Sequence, residues 1–274
     1  MILHPDMDPV AIYLGPLQIH WYGLMYLVAF ACAWVLAVRN SRRSWSPIKE
    51  TQVEDLITYG FFGVFFGGRL GYMFFYSLDK WLADPMMLFR LWEGGMSFHG
   101  GLIGVAVALF AYARKNQIPF LALGDFAALM VPTGLFFGRL GNFIGQELYG
   151  RPTDVPWAML FPSDPSQLPR HPSQLYEAFL EGFVLFFALY YFARRPRETG
   201  QIAGLFLILY GLFRFVVEFV REPDAQFAGQ TALIESFNWM TRGQALCVPM
   251  ILLGLWFMRK AFAIEGANAK PSNS

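Results

Sequence analysis

The sequence predicts an all-α integral membrane protein of seven transmembrane helices, and three observations predict it. First, charged residues make up 15% and hydrophobic residues 55% of its 274 positions, where soluble domains carry about 25% charged residues. Second, apolar runs near the length that crosses a bilayer core recur at about 19–38, 53–77, 98–113, 121–141, 174–193, 202–221 and 244–260. Third, the basic residues alternate between connections. Arg39, Arg42, Arg43, Lys49, Arg114, Lys115, Arg194, Arg195, Arg197, Arg259, Lys260 and Lys270 fall on one set, and only Lys80, Arg90, Arg151, Arg170 and Arg242 on the other. The richer set is predicted to be cytoplasmic, which puts the N-terminus outside, the periplasmic side if the membrane is a bacterial inner membrane, and the C-terminus in the cytoplasm.

Because backbone groups in lipid must pair within their own segment, each run is predicted to be a helix. The first opens with "IHWYGLMY", where Trp21 and Tyr22 fit an aromatic belt or a substrate contact. Its leading eighteen residues hold no Lys or Arg, so a cleaved signal peptide is not expected. Between the second and third runs, Trp81, Leu82, Met86, Phe89 and Trp92 have the spacing of a helix lying in the interface. The third run opens with "EGGMSFHGGLIG", which sets His99 between glycine pairs that let a ligand approach the backbone. The fourth ends in "FFGRLGNFIGQELYGRPT", followed by Pro152, Pro156, Pro162, Pro165, Pro169 and Pro172. That proline density predicts an ordered loop or small outer head over 142–173. The fifth, from "RHPSQLYEAFLEG", puts Glu177 and Glu181 on one helical face as counter-ions for neighbouring arginines. In the sixth, Tyr210, Arg214, Glu218 and Arg221 form one polar stripe. A single polytopic domain, 1–274, is expected, with outer loops at about 78–97, 142–173 and 222–243 and a disordered tail at 265–274.

Several function classes drop out. A net charge of +1 and the lack of a basic stripe exclude a nucleic-acid partner. Cys32 and Cys247 sit in apolar runs without a CxxC partner, and the histidines show no ligand spacing, so no metal and no cofactor are expected. What remains is costly: Arg69, Arg139, Arg214 and Arg221 lie within or at the ends of predicted spans, all toward the same side. An arginine inside a membrane marks a site by default, and guanidinium matches phosphate through paired hydrogen bonds. A lipid-phosphate site follows. Binding, flipping and cleavage of a phospholipid would all use one.

"GRLGNFIGQELYG" at 138–150 resembles the signature of the bacterial prolipoprotein diacylglyceryl transferases. The resemblance extends through "IHWYGLMY", "GGMSFHGGLIG", "HPSQLYEAFLEG" and "YGLFRFVVEFVREPD". It implies a transferase of the bacterial inner membrane, multi-pass, with its active site toward the periplasmic leaflet. Such an enzyme moves diacylglyceryl from phosphatidylglycerol to the lipobox cysteine of a prolipoprotein, forms a thioether and releases glycerol phosphate. Its partners are phosphatidylglycerol, the prolipoprotein signal peptide and membrane lipid. By the same resemblance Arg139 and Arg214 hold the phosphate, Asn142 and Glu147 orient the headgroup or Arg139, and His99 is the candidate base for the thiol. Tyr22, Tyr210, Glu218, Gly150 and Arg221 complete the substrate-binding set. Gly145 stands where the family usually has Asn. The rival reading, a transporter or flippase of anionic phospholipid, calls for a polar path through the cytoplasmic half, where Asp125 is the main candidate.

Overall fold

A computed structural model describes residues 2–5, 7–15, 17–90, 94–222 and 240–268. Each apolar run is helical. The helices are α1 (Trp21–Ser41), α2 (Val53–Tyr76), the short α3 (Leu78–Ala83), α4 (Phe98–Lys115), α5 (Phe120–Ala128), α6 (Val131–Ile144), α7 (Ser173–Glu177), α8 (Leu185–Phe192), α9 (Gln201–Val217) and α10 (Arg242–Asn268). By length and composition, Trp21–Ser41 and Ser173–Phe192 suffice to cross a membrane, and α5 with α6 makes a third if that broken pair is one span. Leu27 and Val35 of α1 and Val107 of α4 are 63%, 63% and 61% exposed, as lipid-facing side chains are and core side chains are not.

The structure departs from the expected pattern in four places. The structure is mostly helical, as expected of an all-α membrane protein, and adds short strand pairs at the N-terminus: β1 (Ile2–Leu3) pairs in parallel with β4 (Met159–Leu160), and β2 (Val10–Leu14) pairs antiparallel with β3 (Leu17–His20). Asp8 starts that hairpin, accepting from Val10 N at 2.8 Å and from the Tyr13 hydroxyl at 2.7 Å. The fourth run is interrupted between Ala128 and Val131, because Pro132 has no N–H with which to continue a helix and sits in the first turn of α6. The expected interface helix stops at Ala83, where Pro85 opens a 3-10 turn over Pro85–Phe89; Trp92 lies outside the described residues. The sixth run leaves the helix at Val217, so Arg221 is not on the helical stripe but forms an antiparallel bridge with Gly150. Most of the expected outer loop at 222–243 (223–239) and of the expected tail (269–274) lies outside the described residues.

The chain forms two compact units, Ala37–Phe126 and Met1–Leu36 with Ala127–Ser274. In the first, α2 and α4 meet along small residues. A Cβ on Gly104 would stand 2.0 Å from the Gly63 carbonyl oxygen, and one on Gly100 2.3 Å from that of Gly67. Only glycine lets the two backbones approach so closely, the small-xxx-small packing of membrane helices. Arg69 of α2 is 3% exposed in this unit. Its guanidinium donates to the carbonyls of Leu88 and Gly95, each at 3.0 Å, of Arg90 at 3.0 Å, and of Met87 and Gly94. Gly94 and Gly95 turn those carbonyls inward through φ values of +73° and +87°. Arg69 therefore staples a loop and does not join a phosphate-binding set.

In the second unit, α6 packs on the 178–184 segment, where a Cβ on Gly182 would stand 2.7 Å from Phe136 Cβ. That segment, Ala178–Val184, is π-helical and links α7 to α8. Helix α9 packs on α10 through Gly204 and Gly254. The expected head over 142–173 is ordered by backbone pairing of Gly150 with Arg221, and of Pro152 and Met159 with Arg170. The buried Arg170 ties it together. Its Nε donates to Asp164 at 2.5 Å, its Nη1 reaches Glu222 and the Gly150 carbonyl at 3.2 Å, and its plane covers Tyr149 at 4.8 Å. Fully buried His4 donates from Nε2 to the Phe143 carbonyl at 2.9 Å, which fastens the N-terminal strand to the end of α6.

Candidate active site

The second unit gathers three of the arginines on one carboxylate. Glu177, the last residue of α7, is 1% exposed. It makes ion pairs with Arg139 Nε of α6 at 2.5 Å, Arg214 Nη1 of α9 at 3.5 Å and Arg221 Nε, just beyond α9, at 3.7 Å. Sequence positions 139, 177, 214 and 221 thus converge from three separate segments. Arg214 also pairs with Glu218 one turn later, at 2.8 Å. Glu218 in turn accepts from the Thr241 hydroxyl at 3.0 Å, and Gly243 lies so close that a Cβ there would stand 2.5 Å from a Glu218 oxygen.

Exposure within the cluster is uneven, and the inequality decides what a ligand meets. The side chains of Arg139, Arg214 and Arg221 keep 18%, 15% and 12% exposure, whereas their shared carboxylate keeps 1%. The guanidiniums keep some access to solvent, and the carboxylate they share has almost none. Arg139 spends Nε on Glu177, while Nη1 donates to Asn142 Oδ1 at 3.4 Å. Its Nη1–Nη2 edge, the fork that matches two oxygens of a phosphate, is therefore turned to the Asn142 side. Glu181 follows one turn after Glu177, fully buried, and its oxygens find no hydrogen-bond donor among the described residues.

The other expected site residues are placed as follows. Tyr210 precedes Arg214 by one turn of α9 and Tyr22 packs its ring over Gly141 of α6, with its hydroxyl 3.0 Å from that of Tyr26. Glu147 is exposed beyond the end of α6; its N–H donates to the Asn142 carbonyl at 2.9 Å, and its carbonyl accepts from Gln174 Nε2 at 2.7 Å. Gly150 contributes space, not a side chain: its N–H donates to the His171 carbonyl at 2.8 Å, and a Cβ would stand 2.4 Å from the Val220 carbonyl oxygen. This crossing fixes the backbone that carries Arg221, with Arg151 Nε donating to the Arg221 carbonyl at 2.9 Å. His99 is in the first turn of α4, in the other unit, exposed, behind a Ser97 N-cap that accepts from Gly100 N at 3.1 Å. Gly145, expected to depart from the family pattern, caps α6 at φ −74°, and the atom nearest a Cβ there would be 3.4 Å away. Nothing in its surroundings demands glycine.

Over residues 9–260 the chain matches the family model described as prolipoprotein diacylglyceryl transferase. It belongs to that family. Similar proteins include the phosphatidylglycerol--prolipoprotein diacylglyceryl transferase of Methylococcus capsulatus, 54% identical over 268 residues, covering 97% of this chain and 100% of that one. Those of Nitratidesulfovibrio vulgaris (strain DP4) and Pseudomonas fluorescens (strain Pf-5) are 52% and 53% identical, over 94% and 96% of this chain and 96% of each relative. With its exposed apolar helices, family membership makes the chain a membrane protein.

The residue that sequence reasoning undervalued is Glu177, expected only as one of two generic counter-ions. The visible signal was its four-residue spacing from Glu181 in "LYEAFLEG". Nothing in that spacing says that three guanidiniums share it.

Proposed function

We propose that the chain transfers the diacylglyceryl group of phosphatidylglycerol to the thiol of a prolipoprotein's lipobox cysteine, the first step of bacterial lipoprotein maturation. The observation that carries this reading, beside the family, is the cluster of Arg139, Arg214 and Arg221, part-exposed guanidiniums gathered around the buried Glu177. The cysteine sulfur attacks the glycerol carbon that bears the phosphate. A C–S bond forms, the C–O bond breaks, and its electron pair stays on the phosphate oxygen of the departing glycerol phosphate. The chemistry needs a thiolate and a stabilised leaving group. Arg139 and Arg214 hold the phosphate as its charge grows, and Asn142 orients Arg139. Tyr22, Tyr210, Glu147, Glu218 and Arg221 shape the headgroup site, and the Gly150 crossing keeps Arg221 in place. His99 takes the thiol proton.

The seven helical runs span the inner membrane in this reading, with the arginine cluster in the periplasmic leaflet. The test is incubation of purified protein with labelled phosphatidylglycerol and a lipobox peptide. Thioether product and glycerol phosphate are expected. Arg139→Ala and Arg214→Ala should each lower turnover by at least about 10²-fold, the usual loss when a preorganised donor to a developing anion is removed. A reaction with well-folded wild-type protein that yields neither thioether nor glycerol phosphate would reject the assignment. A flippase would move the lipid intact and release no glycerol phosphate.

A further inference from the structure

We infer that Glu177 is a specificity-determining residue: by lending its charge to three arginines at once, it tunes the site to a singly charged phosphodiester over a doubly charged phosphomonoester. The inference rests on the reading that the arginine cluster receives the phosphatidylglycerol headgroup. It explains how such a cluster lets its product go.

The reaction changes the charge of the group being held. The substrate phosphate is a diester with one negative charge; the product, glycerol phosphate, is a monoester carrying about −1.5 to −2 at neutral pH. Three guanidiniums without an opposing charge would hold the product more tightly than the substrate, because attraction grows with the charge of the ligand. Such a site would bind its own product and stall. Glu177 opposes that tendency at the right place. It lies 2.5, 3.5 and 3.7 Å from nitrogens of Arg139, Arg214 and Arg221, so any anion bridging those arginines sits opposite a carboxylate that they already share.

Burial gives the opposition its strength. Glu177 is 1% exposed, so water screens it little, and its repulsion of a second negative charge is felt across the cluster. Glu218 does not substitute for it. Among the described residues that carboxylate pairs only with Arg214 and accepts from Thr241. Glu147, which is exposed, is screened by solvent.

Two small probes and the purified full chain test the inference without any turnover: glycerol phosphate, the monoester, and glycerophosphoglycerol, the deacylated diester. Wild-type protein is expected to bind the diester at least as tightly as the monoester. Glu177→Gln keeps the size of the side chain and removes its charge; it should tighten the monoester by about tenfold or more and reverse the order. In the transferase assay the same variant should show a lower KM for phosphatidylglycerol, a lower kcat and stronger inhibition by glycerol phosphate. A residue that merely holds the arginines in place gives the opposite result, with both probes weaker and KM higher, and that outcome overturns the inference. So does a wild-type preference for the monoester, which decides the matter alone if Glu177→Gln does not fold. Failure of wild-type protein to make thioether rejects the transferase reading instead, and the two probes still report on Glu177.

Discussion

At the scale of single residues, two arginines set in apolar helices do different work, and what surrounds them tells them apart. Arg69 gives its donors to the carbonyls of Met87, Leu88, Arg90, Gly94 and Gly95, all within one loop. Arg139 gives its Nε to a carboxylate and keeps its Nη edge toward Asn142. Charged hydrogen bonds contribute about 1.5–3 kcal/mol each, and carbonyls left without donors add to the loss. Arg69→Ala should therefore destabilise the protein by at least about 3 kcal/mol, read as thermal unfolding in detergent, with no change in the relative affinity for the two phosphate probes. A changed preference would return Arg69 to the binding set. Two glycines divide in the same way. Gly150→Ala drives a methyl group to 2.4 Å from the Val220 carbonyl oxygen, and overpacking of this kind costs about 1–3 kcal/mol. Gly145→Asn meets nothing closer than 3.4 Å at its Cβ and should leave the melting temperature nearly where it was. The pair is measured side by side, and equal losses would show that the Gly150 crossing is not tight.

At the scale of elements, the head over 142–173 stands on Arg170 and Asp164, and this gives it an acid limit. Burial disfavours the Asp164 charge, but hydrogen bonds from Arg170 and Ser166 outweigh it and hold the carboxyl at about 2, below its ordinary 3.8. A carboxyl lowered by folding stabilises the native state above its unfolded value and loses that contribution as pH falls toward the folded value. Amide protection over 159–170, that is exchange corrected for its intrinsic pH dependence, should thus fall between about pH 4 and about pH 2 in the wild type, whereas in Asp164→Asn it should be low throughout that window. An unchanged wild-type profile would remove Asp164 from the account. None of this was visible beforehand: prolines announced an ordered loop, but the partner of Arg170 depends on how that loop folds back. The same limit explains the other misses. A two-residue strand such as Ile2–Leu3 has too short a pattern to register, and the helix break before Pro132 was hidden by apolar residues on both sides. The Arg214–Glu218 pair was legible because helical spacing alone fixes it. Arg139 with Glu177 was not, because their contact requires α6 to pack against the segment that begins at Ser173.

At the scale of the whole molecule, helix identity was readable because lipid leaves backbone groups no partner but the helix, so a long apolar run has few alternatives. Orientation rests on a different physical basis, the distribution of Lys and Arg among connections, and it makes a claim that reagents added from outside can test. Arg42 and Arg43 flank the turn after α1, where Ser44 is exposed; Asp154 is exposed in the head that follows α6. With Cys32→Ala and Cys247→Ala removing the native thiols, Ser44→Cys and Asp154→Cys can be introduced one at a time. In intact spheroplasts a membrane-impermeant thiol reagent should label Asp154→Cys at once and reach Ser44→Cys only after the membrane is opened. The reverse pattern would put the arginine cluster in the cytoplasmic leaflet, away from a secreted precursor's cysteine. Labelling of both sites before permeabilisation would mean that an even number of crossings separates them, and the seven-span reading would fall while the arginine cluster itself stood.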